Sequence, residues 1–571
     1  MSIHKFKEHF AHKLSQHLPL ETREIISLIE YPPEQIKGDL GVPCFTLAKK
    51  LKKSPKAIAE EVAKAIDSDD MLGSVFAVGP YINTLLNRTG LATEIITSVL
   101  NNPSEFGKKA DCNKTAVMDF SSPNIAKPFH VGHLRSTVIG NAIRNILIHR
   151  GWKVIGVNHL DDWGTQFGKL IVAFRNWGSE EKLTSGEPIK HLEELYVRFH
   201  EELEKDPDLD EQARAAFKKL EDGSIEETKL WKHFREISLA KFNEIYDYLN
   251  IKFDHHTGES FYNDMTEATI KKLEEAGLPE MSDGALVIKL EEYKMPACLL
   301  KKRDGATLYA TRDISAGFYR KKEFNPDKLI YITGAPQRLH FLQVFKVLEL
   351  VNKEFEGKTS FVGFGQIRFK DQKLSTRKGN VIYLEDLIKI GEKHALAKLK
   401  ETEATGREID NQKEIARAVT LGGLVFGDLS IDRVKDIDFD WDRMLEFRGD
   451  TGPCIQYAHA RARSLVKKSN EKPTPANNLS LLSDDDEARL LITIGRLPEA
   501  IEEAGKAEKP HILAQHVLQI AREWNSYYHS HERILLLEPE LKSARLTLAA
   551  TTAEAIKLGL VLLGIPTPDS M

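Results

Sequence analysis

The chain opens on a helical rhythm. Ile3, Phe6, Phe10, Leu14 and Leu18 recur at helical spacing with Lys, Glu and His between them, which predicts an amphipathic first helix and not a signal peptide. KKLKKSPKAIAEEVAKAI (49–66) predicts a helical stretch with Pro55 near its start, and FAVGPYINTLLN (76–87) predicts a turn and a strand. The turn-rich run NNPSEFGKKADCN (101–113) then marks a boundary. TAVMDF (115–120) reads as a short strand, Leu134, Ile139, Ile143 and Ile146 share one side of a helix ending near Gly151, and KVIGVNHL (153–160) reads as the next strand. Strand, loop, helix and strand in that order make a βαβ unit, the building block of a parallel sheet.

From about 178 to 260 acidic and basic residues alternate in a helical pattern, expected to be a surface insertion. Strand-like runs return at GALVIKL (284–290), TLYATRD (307–313), KLIYITG (328–334) and TSFVGFG (359–365), so the sheet is expected to continue through them. From about 406 everything reads as helical, with the polar KKSNEKPTPANNLSLLSDDDE (467–487) an exposed loop. The expected fold class is multidomain α/β: an N-terminal α+β domain (1–110), a parallel-sheet domain with a helical insertion (111–405) and a C-terminal all-α domain (406–571).

Composition narrows the class without deciding the function. At 571 residues, 41% apolar and 29% charged, the chain is an ordinary globular protein with room for about three domains. A net charge of −5 argues against a basic coat but leaves room for a local basic patch facing nucleic acid. Cys44, Cys112, Cys298 and Cys454 are scattered with no CxxC pair, which favours reduced thiols in a cytoplasm and no structural zinc. The longest apolar stretch, near LGLVLLGI (558–565), is far short of a membrane span.

The candidate chemistry lies in two distant stretches. In SSPNIAKPFHVGHLRST (121–137), His130 and His133 stand three apart around Gly132 where a helix begins, with Lys127 just upstream. A helix N-terminus offers unpaired amide donors and partial positive charge, so it attracts phosphates. Two histidines on one face can donate to phosphate oxygens, and a glycine lets a ligand approach the backbone. A structural or metal-binding pair would give the same HVGH. In DQKLSTRKGNVI (371–382), Lys373, Arg377 and Lys378 stand among Ser375, Thr376 and Gly379. That basic loop can stabilise a departing pyrophosphate, or be a solvated surface loop.

Together the two stretches resemble the HIGH and KMSKS motifs of class I aminoacyl-tRNA synthetases. The likeness to the arginyl-tRNA synthetases extends over nearly the whole chain, through DFSSPNIAKPFHVGHLRST (119–137), DWGTQFG (162–168), LYATRD (308–313), YITGAPQ (331–337), KLSTRKGN (373–380), DTGPCIQYAHARARS (450–464) and LLGIPTP (562–568) with Met571. The resemblance implies a Rossmann-like catalytic domain and an arginine–tRNA ligase working in two steps. Arginine and ATP, with Mg2+, give arginyl-adenylate and pyrophosphate; the arginyl group then passes to the 3′ end of tRNA(Arg). Activation is expected to require tRNA, and the enzyme to be a cytoplasmic monomer.

By the same resemblance, His130, Gly132, His133, Lys373, Ser375 and Thr376 bind ATP, and Arg377 and Lys378 join them in catalysis. Thr376 replaces the second lysine of KMSKS, and Lys127 is expected to supply the missing charge. Arginine is assigned to Asp119, Ser122, Asn124, His133, Tyr309, Asp313 and Gln337. A guanidinium fork met by a carboxylate makes two parallel bonds that an ammonium cannot match, which selects Asp313. Asp313 would otherwise read as the N-cap of a helix starting at Ile314. Asp119 departs from the Glu frequent in relatives. Tyr457, His459, Arg461 and Arg463 are the expected tRNA contacts in the C-terminal domain, and Lys49, Lys50, Lys52 and Lys53 form a basic cluster in the N-terminal domain, which the family uses at the tRNA elbow. Two other readings are a different class I synthetase and a non-catalytic RNA-binding relative; retention of His130, Gly132, His133 and the basic loop speaks against the second.

Overall fold

Four runs rich in Val, Ile and aromatic residues, TAVMD, KVIGV, KLIYITG and TSFVGF, pair as a parallel sheet. In space they stand in the order Thr359–Phe364, Lys328–Gly334, Thr115–Asp119, Lys153–Val157. β-Branched residues suit strands covered on both faces, as parallel sheets require. The computed structural model describes the chain except residues 1–2, 34, 185–186, 304, 370–382 and 404–410. It divides into two compact units, one of residues 110–394 with 431–442, the other of residues 1–109, 395–430 and 443–571.

In the first unit the Val131–His149 helix follows Thr115–Asp119 and leads to Lys153–Val157 beside it, a βαβ crossover. The helix lies very close to the sheet: a Cβ on Gly140 would stand 2.4 Å from the Phe120 ring. Arg135, 1% exposed, donates to the carbonyls of Gly365 at 2.7 Å, Lys435 at 3.0 Å and Arg433 at 3.3 Å. The chain then builds the helices Pro188–Leu203, Asp208–Glu221 and Ile225–Leu249 of the insertion. Val117, Val157, Leu329 and Tyr331 from the sheet pack with Ile314, Phe341, Val344 and Phe345 from two later helices in one core.

Three sequence expectations need correction here. GALVIKL does not extend the parallel sheet: Ala285–Ile288 pairs antiparallel with Pro279–Ser282 and Cys298–Lys301 in a separate sheet. Asp283 and Gly284, at φ 49° and 79°, turn the chain there, and the Asp-Gly pair is a hairpin signal in its own right. TLYATRD is not a strand. Leu308 caps a helix running Tyr309–Phe324, because Ala310, Ile314 and Gly317 recur at helical spacing over the longer window and bury that side. Nor is everything beyond 406 helical: Ile437–Phe439 pairs parallel with Ile367–Phe369, and residues 431–442 belong to the sheet-bearing unit.

In the other unit Leu40–Pro43, Tyr81–Leu86 and Leu72–Val78 form an antiparallel sheet in that order. FAVGPYINTLLN is thus a hairpin rather than a turn with one strand. The first helix, Ile3–Ser15, buries Ile3, Phe6, Phe10 and Leu14 as its rhythm predicts. The 49–66 stretch breaks at Lys52 in the left-handed region, and Ser54 caps a new helix, Pro55–Lys64, by accepting from Ala57 N–H at 3.2 Å. The C-terminal helices Gly452–Ser469, Pro510–Ser530 and Pro539–Leu562 pack together. Among the described residues no helix is long and apolar enough to cross a membrane.

Candidate active site

The loop between Thr115–Asp119 and the Val131–His149 helix leaves the carboxyl end of a central strand, where open parallel sheets bind ligands. It is held in an unusual backbone path. Ser121, Ser122 and Ala126 all carry positive φ, at 72°, 49° and 60°, a conformation non-glycine residues adopt only when their surroundings impose it. Ser136 Oγ accepts from Ser121 N–H, Asn158 Oδ1 from Ser122 N–H, and Ser238 Oγ from Ala126 N–H.

His130 is the N-cap of the helix. Its Nδ1 accepts from Gly132 N–H at 3.0 Å, and His133 Nδ1 accepts in return from His130 N–H at 3.3 Å. The pair thus completes a reciprocal cap, with the two rings stacked 3.6 Å apart. Burial, reinforced by the Lys127 charge, holds both imidazoles below the usual histidine range, His133 well below it. Both rings are therefore neutral near pH 7, with a proton on Nε2 that no side chain or carbonyl among the described residues accepts. The space over Gly132 belongs to the cap: a Cβ there would meet the His130 ring at 2.8 Å. Lys127 is exposed, its ammonium 5.6 Å from the Tyr196 ring centre.

Lys373, Ser375, Thr376, Arg377 and Lys378 lie outside the described residues. The chain re-enters beside the histidines: Tyr383 forms an antiparallel bridge with His130, and Leu384 N–H donates to Phe129 C=O at 2.9 Å. Tyr383 Oη donates to Glu193 of the insertion at 2.5 Å, and Lys241, also of the insertion, pairs with Glu385 at 3.0 Å. The residues that follow the second motif are thus anchored on the first.

Three of the arginine candidates, Asp119, Ser122 and Asp313, fall into one polar network. Asp119 accepts from Ser122 Oγ at 3.0 Å and from the fully buried Arg320 at 2.7 Å. Arg320 stands 3.3 Å from His159 Nδ1, and His159 Nε2 is 3.9 Å from Asp313. His340 Nε2 donates to the other oxygen of Asp313 at 2.6 Å. Burial pushes the Asp313 carboxyl up, but the His340 hydrogen bond and the charges of His159, His340 and Arg320 outweigh it and hold the group below its ordinary value. Asp313 is ionised and partnered at neutral pH. It is not a helix cap, since the helix starts at Tyr309, one turn earlier. Tyr309 is 51% exposed, with the Arg312 guanidinium 5.1 Å from its ring centre.

Asn124 donates its side-chain amide to Asp161, and Arg312 pairs with Glu259 at 3.0 Å. Burial, with Asp161, Asp313 and Asp162 nearby and Arg312 opposing, pushes Glu259 up to about 9. Gln337 stands exposed on the Ala335–Gln337 turn, three residues before His340, and among the described residues no hydrogen bond joins its side chain to the network. Sequence reading missed His159, Asp161, Glu259, Arg320 and His340. His159 closes the KVIGVNHL run and His340 follows YITGAPQ, so position at a strand's carboxyl end was the available signal for both.

The C-terminal candidates separate. His459 is fully buried and hydrogen-bonds Ala553 C=O through Nδ1 at 3.0 Å, so it is a packing residue and not an exposed contact. Its position continues the buried stripe of Ile455, Ala458 and Ala462, which overrides the basic character of its neighbours. Arg463 pairs with Glu554 and Asp569. Tyr457 and Arg461 line a cavity of about 480 Å³ with Phe447, Arg448, Asn525 and Met571. The Arg461 guanidinium stands 4.7 Å from the Tyr457 ring centre and 4.9 Å from that of Tyr528. Lys49, Lys50, Lys52 and Lys53 are exposed, with Lys53 paired to Glu61.

Comparison with known proteins agrees along the whole chain. Residues 95–441 match the family model of the catalytic domain of class I (R) tRNA synthetases, residues 4–86 the arginyl-tRNA synthetase N-terminal domain, and residues 455–571 the DALR anticodon binding domain. The arginine–tRNA ligase of Halothermothrix orenii is 43% identical over 99% of this chain and 100% of its own length, and that of Clostridium perfringens 42% over the same shares. Among solved structures, Thermus thermophilus arginyl-tRNA synthetase superposes with a TM-score of 0.82 at 25% identity, covering 99% of this chain and 100% of its own. The Plasmodium falciparum enzyme gives 0.79 at 25% identity, covering 99% and 98%. On fold, site and sequence together, the chain belongs to the class I arginyl-tRNA synthetase family.

Proposed function

We propose that this chain is an arginine–tRNA ligase that activates L-arginine with MgATP and transfers the arginyl group to the 3′ end of tRNA(Arg). The carrying observation is Asp313: a largely buried, ionised carboxylate one helical turn from Tyr309, joined through His159 and Arg320 to Asp119 and Ser122. A carboxylate so placed meets the substrate's guanidinium fork, while Ser122, Asn124 and Asp119 hold the backbone end. Asp119 answers Arg320 first, so its part is to fix that network around the amino group rather than to bind as a free charge.

In the first step a carboxylate oxygen of arginine attacks the α-phosphorus of ATP and pyrophosphate leaves. His130 and His133, neutral with Nε2–H donors, serve the triphosphate at the helix N-terminus. Lys127 supplies fixed charge in place of the lysine that Thr376 replaces, with Lys373, Ser375, Arg377 and Lys378 from the second motif. In the second step the terminal ribose hydroxyl of tRNA attacks the adenylate carbonyl and AMP leaves. The Tyr457–Arg461 cavity suits an unpaired tRNA base, with aromatic faces and a guanidinium plane for stacking. The enzyme acts as a cytoplasmic monomer.

Amino-acid-dependent pyrophosphate exchange tests this directly. Exchange is expected with arginine and not lysine, only when tRNA(Arg) is present, and lost with EDTA until Mg2+ is restored. No arginine-dependent exchange in the presence of tRNA and Mg2+ would overturn the assignment.

A further inference from the structure

A carboxylate selects a guanidinium over an ammonium only if its plane is fixed. Two parallel N–H···O bonds need both oxygens on the plane of the fork, whereas an ammonium needs only a nearby charge. The terminal torsion of an aspartate is broad and nearly two-fold, so an unsupported Asp313 would present its fork-binding edge only part of the time. What holds Asp313 is therefore a question about selectivity.

The two histidines beside it differ. His159 Nε2 is 3.9 Å from the nearer carboxylate oxygen, too far for a hydrogen bond, so it gives the carboxylate no direction. His340 Nε2 lies 2.6 Å from the other oxygen. Among the described residues it is the side chain that hydrogen-bonds Asp313. The two partners come from separate elements, Asp313 from Tyr309–Phe324 and His340 from the helix Arg338–Val351 that follows the Lys328–Gly334 strand. His340 is held in turn, its ring edge-on to Phe341 at 5.1 Å. A carboxylate carries about four lone-pair sites, so His340 occupies one and leaves an edge for a substrate fork.

We infer that His340 is a positioning residue for arginine selection, fixing the plane of the Asp313 carboxylate so that it takes a guanidinium bidentately. This rests on the proposed function above. His340 donates through Nε2, and the arginine side chain approaches the remaining edge of Asp313; ATP and its phosphates are served by other residues.

The test is steady-state pyrophosphate exchange by the full chain with tRNA(Arg), comparing the unaltered enzyme with His340→Ala and His340→Gln. Loss of a hydrogen bond to a charged group predicts an arginine KM raised about tenfold or more in His340→Ala, with the ATP KM unchanged. Inhibition by lysine, which does not read the plane, is expected to stay constant, so selectivity for arginine falls. His340→Gln carries an N–H donor at a similar reach and is expected to recover most of the loss. An arginine KM within twofold of the unaltered enzyme in His340→Ala overturns the inference. So does a parallel rise in the ATP KM, or a His340→Gln enzyme no better than His340→Ala. If the unaltered chain shows no arginine-dependent exchange, the proposed function fails and this inference falls with it; if it does, the variants judge His340 alone.

Discussion

Asp313 would be a costly place for a charge if nothing answered it. The helix at Tyr309–Phe324 carries it into a largely buried position, and the compensation comes first from the His340 hydrogen bond on another element, with the Arg320 charge on its own helix adding to it. Removing it strands the substrate cation. Asp313→Ala is expected to lower arginine-dependent exchange by about 10²-fold or more, a loss of roughly 3 kcal/mol. Near-normal exchange in that variant would show that the guanidinium binds elsewhere. The residue's type and its distance from Tyr309 were legible in LYATRD, but its partners were not. Arg320 meets Asp119 across 201 positions and His340 meets Asp313 across 27, and no local periodicity encodes such pairs. His459 shows the reverse failure: a polar residue among arginines reads as surface until the stripe of Ile455, Ala458 and Ala462 is counted.

At the scale of elements, long periodic patterns were readable and short ones were not. The Ile3–Ser15 and Val131–His149 helices stand where their apolar spacing puts them. The seven residues of TLYATRD suit a strand or a helix equally, and only the continuation to Phe324 decides. The insertion read as a charged surface layer has a further part: Glu193 and Lys241 hold Tyr383 and Glu385, and Tyr383 bridges His130. Tyr383→Phe is expected to raise the ATP KM about three- to tenfold while leaving that for arginine alone, since it removes one half-buried hydrogen bond to a carboxylate. An ATP titration that matches the unaltered enzyme would leave the Glu193 contact without a role. In the Pro510–Ser530 helix, burial lowers His516 from 6.5 to about 4, with Arg496 adding to the effect. The unfolded chain binds that proton more readily, so stability is complete above pH 6.5 and declines as pH falls toward 4, by up to roughly 3 kcal/mol. Melting curves across that window are expected to flatten in His516→Gln; an unchanged slope would assign the dependence to other groups.

On the scale of the whole molecule, sequence order and spatial order part company. Linear reading places one boundary near 405, but residues 431–442 return to the sheet-bearing unit while 395–430 and 443–571 do not. The return is short, polar at its start and carried by the three-residue strand Ile437–Phe439, too brief for any pattern to announce. Its anchor is Arg135, whose guanidinium is spent on main-chain oxygens at Gly365, Arg433 and Lys435. A catalytic fragment cut anywhere before residue 431 would therefore lose more than the helical unit. It would leave Arg135, buried on the helix that begins at the histidines, without its acceptors at Arg433 and Lys435, so a stretch beyond residue 430 is part of what holds that helix in place.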